Sequence, residues 1–150
     1  MTDSEHLSTS VTLFVRARPA FGAEEYKREV MERIAELERG GRLERFDVRT
    51  WEKAVRDAGP LERCESLRSV FRRLEEFERW ADRNGVSVDG VFRRREVHSA
   101  ITDERYAVVS LPTLCLVAYE GGELRGVYPH SDGSDTRTVF DFLDALQRDR

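Results

Sequence analysis

Sulfur, lysine and long apolar runs are scarce in this chain of 150 residues. Its two cysteines, Cys64 and Cys115, lie far apart in the sequence, without the C-x-x-C spacing of a redox site or the paired spacing of a zinc site. The sequence therefore contains no dithiol motif and no cysteine-based metal motif. Buried free thiols are the simplest interpretation of both cysteines.

Membrane-spanning segments are also missing, because no apolar run approaches the roughly 20 residues that a transmembrane helix needs. Residues 1–10 are polar and lack the apolar segment of a signal peptide. We therefore expect a disordered N-terminal tail over residues 1–10, a cytoplasmic protein and no membrane partner.

An excess of charge of either sign is absent, since the net charge is −4 at pH 7. Such a balance gives the whole chain no attraction for nucleic acid or for an anionic membrane. Lys27 and Lys53 are the only lysines among 25 basic residues, a bias that a GC-rich genome or a halophilic lifestyle produces. Locally, the run Arg93-Arg94-Arg95 is a candidate phosphate contact, although Glu96 adjoins it.

Among the patterns that are present, the β-branched and aromatic run over 11–17 predicts a strand buried on both faces. A helical pattern of apolar residues follows and ends at Gly40-Gly41. Alternation around Phe46 and Val48 then predicts a second, less buried strand. Because strand–helix–strand crossovers of this length are right-handed, the two strands are expected to be parallel neighbours.

The longest helix is predicted over 61–82, where apolar residues recur at intervals of three and four. Its other face carries arginines and glutamates at spacings that allow opposite-charge pairs, which is typical of a solvated face. The arginines in question are Arg68, Arg72, Arg73 and Arg79. Residues 85–102 are expected to form an irregular insertion with a short edge strand. His98 and His130 lack a chelating spacing and are expected at the surface.

The second half contains the firmest local pattern, because the apolar run 114–117 meets Gly121-Gly122 and resumes at Leu124. This pattern predicts a β-hairpin. A turn around 130–135 and a helix over 138–147 follow. The complete order is strand, helix, strand, helix, insertion, hairpin, helix. It predicts an α/β fold with a four-stranded mixed sheet and helices on both faces.

Three segments of the second half resemble the thioredoxin-like fold, and the opening V-T-L-F-V-R resembles a glutaredoxin strand. The three segments are Tyr106-Ala107-Val108, Leu111-Pro112-Thr113-Leu114 and Val139-Phe140-Asp141-Phe142-Leu143-Asp144-Ala145-Leu146. The resemblance implies a single thioredoxin-like domain over 11–147 with the insertion near 85–102. It also implies a cis peptide bond before Pro112, facing the dithiol site across a groove in which extended peptides dock.

That dithiol site corresponds to residues 16–22, which contain no sulfur. The main hypothesis is therefore a redox-inactive interaction or regulatory module that binds another protein or an extended peptide, without enzymatic activity and without a cofactor. The groove candidates are Arg18, Pro19, Phe21, Leu111, Pro112 and Thr113. Within this set, Phe21 is either an exposed anchor for a partner or a plug of the core.

Other segments resemble a haloarchaeal family commonly labelled helix-turn-helix domain-containing. They are V-T-L-F-V-R, E-R-I-A-E-L-E-R-G-G-R-L-E-R-F-D-V, F-E-R-W-A-D-R-N-G-V-S and L-P-T-L-C-L-V-A-Y-E. The label implies a DNA-binding transcriptional regulator, which is the alternative hypothesis. A helix-turn-helix needs two helices joined by a turn of about three or four residues. Here a predicted strand and loop, from Gly40 to Pro60, separate the long helices. The oligomeric state has no signature in the sequence.

Overall fold

A computed structural model describes residues 9–17, 22–57 and 65–148. Its elements are β1 (Thr9–Arg16), α1 (Ala23–Arg39), β2 (Arg45–Trp51), β3 (Ala54–Asp57), α2 (Glu65–Asn84), β4 (Arg94–His98), β5 (Arg105–Ser110), β6 (Leu114–Glu120), β7 (Glu123–Tyr128), β8 (His130–Asp132), β9 (Asp135–Arg137) and α3 (Val139–Arg148). Within these ranges, no helix combines the length and the hydropathy that crossing a membrane requires. Residues 1–8 of the predicted tail lie outside the described residues, and Thr9 and Ser10 belong to β1.

The main sheet contains four strands in the order β2-β1-β6-β7. Strand β1 is parallel to β2 and antiparallel to β6, and β6 is antiparallel to β7. Leu13 at the centre of β1 lies between Val48 and Leu116. The mixed four-stranded sheet and the parallel crossover predicted from the sequence are therefore confirmed.

Both faces of the main sheet are buried, because successive residues of its central strands enter opposite core clusters. Leu13 and Leu116 pack with apolar residues of α1 and α3, whereas Phe14 and Val117 pack with those of α2. Burying one such side chain contributes about 1.5–3 kcal/mol relative to leaving it exposed. Helices thus cover both faces, as predicted, and the apolar run in β1 reflects burial on both sides.

Local signals end and begin the helices where the sequence predicts. The Gly40 N–H donates to the Glu36 carbonyl at 2.9 Å and closes α1. At the start of α3, the Asp141 N–H donates to the Thr138 hydroxyl at 3.2 Å. In return, the Thr138 N–H donates to the Asp141 carboxylate at 2.8 Å. This reciprocal pair occupies two N–H groups that would otherwise have no partner within the helix.

The predicted hairpin is formed by β6 and β7. Its turn residues Gly121 and Gly122 have φ angles of 59° and 85°, a combination that residues with a Cβ rarely adopt. Two-residue hairpin turns with positive φ at both positions match the twist of the strands they join. The glycine pair therefore determines this turn.

A second sheet, with strand order β3-β5-β4, packs beside the main one and is antiparallel throughout. The sequence pattern predicts neither β3 nor β5. Strand β4 is the edge strand expected within 85–102. Ala107 and Val109 of β5 are buried and point toward α2, while Tyr106 and Val108 face the other side and are half-buried. The short β3 depends on partners about 50 residues later in the chain, so its pairing leaves little local signal.

Candidate functional site

The segment 111–113, part of the predicted groove, connects β5 to β6 and is tied to the sheet by all three of its carbonyl groups. The Leu111 carbonyl accepts from the Arg16 guanidinium, with the Nε–O distance 2.8 Å. The Pro112 carbonyl accepts from the Trp51 indole at 3.0 Å, and that of Thr113 accepts from the Arg16 N–H at 3.0 Å. The acceptors that a docking peptide strand would use therefore already have donors.

The predicted cis peptide bond between Leu111 and Pro112 is wrong. Among the described residues, the cis bond is that of Tyr128-Pro129, and the Leu111-Pro112 bond is trans. The trans form is the default even before proline, and only the resemblance indicated otherwise. The main structural reason for a peptide groove is thereby lost. The remaining groove candidates, Arg18, Pro19 and Phe21, lie outside the described residues.

Cys115 lies on β6, is fully buried and packs in the core cluster that contains Phe14 and Val117. Burial among apolar side chains raises the pKa of its thiol well above the ordinary range, since the thiolate is poorly solvated there. A thiol held in the neutral form is a poor nucleophile. Cys64 lies outside the described residues.

We expect the Cys115 thiol of the native protein to react with a disulfide reagent at pH 8 about a thousandfold more slowly than in denaturant. Reaction requires opening of the core, and the open fraction of a stable domain is on the order of 10⁻³ or less. The measurement is absorbance-monitored labelling of a Cys64→Ser variant, which leaves Cys115 as its single thiol. Labelling at a similar rate in both conditions would show that Cys115 is accessible.

The two described histidines occupy different environments. His98 is exposed, as predicted, and its Nε2 lies 2.7 Å from an Asp103 carboxylate oxygen. The prediction that His130 lies at the surface is wrong, because its side chain is 6% exposed and packs against the rings of Trp80 and Tyr128. Its Nδ1 lies 2.7 Å from the Val127 carbonyl and donates to it, since that oxygen can only accept. Across residues 9–17, 22–57 and 65–148, potential metal ligands form no cluster of three or more.

The three arginines expected to contact phosphate do not converge on one point. Arg93 precedes β4, and its Nε donates to the Gly90 carbonyl at 3.2 Å. In β4, Arg94 lies opposite Val109 and Arg95 opposite Val108, so their side chains leave the strand on opposite faces. The run is therefore divided between two surfaces of the second sheet.

Two of these arginines also share a cleft with acidic residues. The cleft has a volume of about 480 Å³ and lies between α2 and the second sheet. Arg93 and Arg94 line it together with Glu78 and Asp89. Opposite charges in one cleft reduce its attraction for an anion, so this surface has mixed electrostatic character.

A more uniform basic surface lies on α2. Four exposed arginines recur at intervals of four, seven and four residues, which places them on one side of the helix. They are Arg68, Arg72, Arg79 and Arg83, and we call them the arginine row. Phe77 and Trp80 are buried on the opposite side of α2 and fix the direction in which the row points.

The arginine row makes no ion pair and no side-chain hydrogen bond with the described residues. The spacing of Glu75 and Glu76 allows pairs with Arg79 and Arg72, yet these pairs are not formed. Among the described residues, the charges of the arginine row are therefore not neutralised by an ion pair, although the interleaved sequence allows such pairs. No described residue occupies the donors of these guanidinium groups, which can therefore bind an external acceptor.

Acidic residues of α2 lie beside the row and also within its longest interval, where Glu75 and Glu76 separate Arg72 from Arg79. Glu75, Glu78 and Asp82 follow one another at intervals of three and four along one flank of α2, and Glu78 of this flank lines the cleft next to β4. On the other flank, a shallow depression of about 380 Å³ continues the basic surface. Its lining residues are Ser69, Arg72, Arg73, Glu76 and Arg79. The helix surface on the side away from β4 is thus mainly basic, with Glu76 as the acidic residue in the lining of the depression.

A family model described as a helix-turn-helix domain matches residues 3–150. No curated protein and no solved structure matches the chain. In the described part of the chain, no two helices are joined by a short turn, because β2 and β3 separate α1 from α2 and six strands separate α2 from α3.

Proposed function

Because this chain belongs to the helix-turn-helix domain family, we propose that it is a DNA-binding regulator of transcription. The observation that carries the proposal is the extent of the match, residues 3–150, which includes the sheets as well as the helices. The motif that gives the family its description binds DNA. A role on DNA also accords with the cytoplasmic location expected from the sequence.

The electrostatics of the surface support a polyanionic partner even though the net charge is −4 at pH 7. DNA affinity arises from local clusters of cations that displace counterions from phosphates, so the total charge of a protein is a poor guide to it. The arginine row supplies such a cluster. It lies on a helix whose other side is anchored in the core by Phe77 and Trp80.

We further propose that the protein is not an enzyme and acts through binding alone. The Cys115 thiol is buried and held neutral. His98 and Asp103 form a pair of the kind that general bases use, but both side chains are exposed, by 48% and 90%, near the end of the β4–β5 hairpin. A site that excludes water is what such a pair would need for efficient catalysis.

A second candidate is a redox-inactive protein-interaction module of the thioredoxin-like type. It is favoured by the order of elements along the chain and by the mixed four-stranded sheet. Two features expected of its groove are not found, however: the peptide bond before Pro112 is trans, and the backbone carbonyl groups at 111–113 already accept hydrogen bonds. The DNA-binding proposal therefore has the stronger support.

The test of the main proposal is selection of duplex DNA by the full chain from a random library at physiological salt. We expect a defined sequence to be enriched, and to bind about 10³-fold or more tightly than unrelated duplex, as specific regulators do. Affinities would be measured by fluorescence anisotropy with labelled duplexes. Failure to retain any duplex at this salt concentration would reject the DNA-binding proposal.

A further inference from the structure

The arginine row of α2 is a linear array of exposed cations that could bind an anionic partner. Its first and last members are 15 residues apart, so the row spans about 22 Å along the helix axis. Each member is exposed, and none is engaged by a described residue. The row contains two like-charge pairs at a spacing of four, Arg68 with Arg72 and Arg79 with Arg83, and a bound anion would relieve their repulsion.

We propose that the arginine row is the surface that binds the phosphate backbone of duplex DNA. This inference rests on the proposed function and adds which surface makes the contact. A duplex strand presents one phosphate for every 3.4 Å or so of helix axis, so a row of about 22 Å faces several phosphates at once. Guanidinium groups bind phosphate oxygens in a bidentate manner, which suits arginine better than lysine.

The neighbouring acidic residues determine how α2 approaches the duplex. If α2 lay deep in the major groove, which is only about 12 Å wide, phosphates would flank it on both sides. Glu75, Glu78 and Asp82 would then face one of the two backbones and be repelled. Contact with a single backbone, through the arginine row and the depression next to it, keeps this flank away from the second backbone. Glu76 also lines the depression, where three arginines surround it. In this arrangement α2 positions the protein on DNA and does not read bases.

Arg93, Arg94 and Arg95 fit this role less well. Arg94 and Arg95 leave β4 on opposite faces, and Arg93 and Arg94 share their cleft with Glu78 and Asp89. The structure therefore assigns phosphate binding to α2 rather than to the run of three arginines that stands out in the sequence.

The test compares two double variants of the full chain that remove the same charge. Arg72→Gln with Arg79→Gln alters the row, and Arg93→Gln with Arg95→Gln is the matched control. Binding to one fluorescent duplex is measured by anisotropy between about 50 and 200 mM salt, the range over which phosphate contacts dominate. All six positions named in the row and the control are exposed, so thermal melting should show intact folding for both variants.

For the row variant, we expect the slope of log affinity against log salt to fall by about 2, since each lost phosphate contact removes about 0.9. Between these two salt concentrations, the factor by which its affinity decreases should then be about 12 times smaller than the factor for the unmodified protein. The control should keep the original slope. A third variant, Arg72→Lys with Arg79→Lys, retains the charge and should also keep the slope, even if its affinity decreases.

The outcomes separate this inference from the function on which it rests. If the unmodified protein binds duplex DNA and the row variant keeps its slope, the assignment to α2 is overturned and the DNA-binding proposal stands. A slope that falls in the control instead would place the contact at β4 and equally overturn the assignment. If the unmodified protein binds no duplex, the proposed function itself fails.

Discussion

Replacing Phe77 by alanine is expected to lower the free energy of unfolding by about 3–5 kcal/mol, the range measured when a buried Phe is truncated. Phe77 is fully buried on α2, packs 5.7 Å from the Phe92 ring between centroids and belongs to the cluster that joins α2 to both sheets. Equilibrium denaturation in urea would measure the loss. For a domain of this size the melting temperature should fall by about 6–20 °C.

The control for this experiment is Ile101→Ala, because Ile101 is 95% exposed in the connection between β4 and β5. Its effect should stay within about 0.5 kcal/mol, as is usual for surface substitutions. A loss below about 1 kcal/mol for Phe77→Ala would mean that α2 does not pack on the sheets as described. The orientation of the arginine row, which depends on that packing, would then be wrong as well.

Replacing Trp51 by alanine is expected to cost a similar amount, about 3–5 kcal/mol. Trp51 ends β2 and is 7% exposed. Its ring is stacked on Phe14 with the centroids 4.7 Å apart, and it meets the edge of Phe92 at 6.0 Å. Its indole N–H also donates to the Pro112 carbonyl. One side chain therefore links the main sheet, the segment 111–113 and the loop before β4.

The matched variant Trp51→Phe separates the packing of this residue from its hydrogen bond. Phenylalanine retains the ring stacking but leaves the Pro112 carbonyl without the indole donor, so we expect a loss of about 1 kcal/mol plus a smaller cavity term. Denaturant titration of the two variants gives both values. If Trp51→Phe were as damaging as Trp51→Ala, the hydrogen bond rather than the packing would be the dominant contribution.

Together, these two residues define how the fold presents its candidate DNA-binding surface. Phe77 fixes α2 on the sheet, and Trp51 fixes the two sheets relative to each other. The arginine row needs such rigid support, because a helix that rotated on the sheet would also turn its acidic flank toward DNA. The Phe77→Ala variant is therefore expected to lose DNA binding when it is heated above its unfolding temperature. The row variants are expected to lose phosphate contacts without losing stability.

The sequence by itself determined the main sheet and its helices, since their signals are local. A continuous β-branched and aromatic run identifies β1, apolar periodicity identifies α1, α2 and α3, and Gly121-Gly122 identifies the hairpin turn. Each signal depends on neighbours within a few residues in the chain, and so it can be read without knowing the fold. The same locality explains the errors at Pro112 and His130, whose conformation and burial depend on distant segments.

Only the tertiary structure decided the second sheet and the candidate site. Strand β3 joins this sheet by pairing with β5 residues about 50 positions later in the chain, which short local patterns do not encode. The run Arg93-Arg94-Arg95 is conspicuous in the sequence, yet strand alternation divides it between two faces. The arginine row is inconspicuous in the sequence because glutamates interrupt it, and helical geometry alone collects its members on one side. Whether its charges are paired depends on side-chain positions in three dimensions, and within the described part of the chain no residue pairs with them.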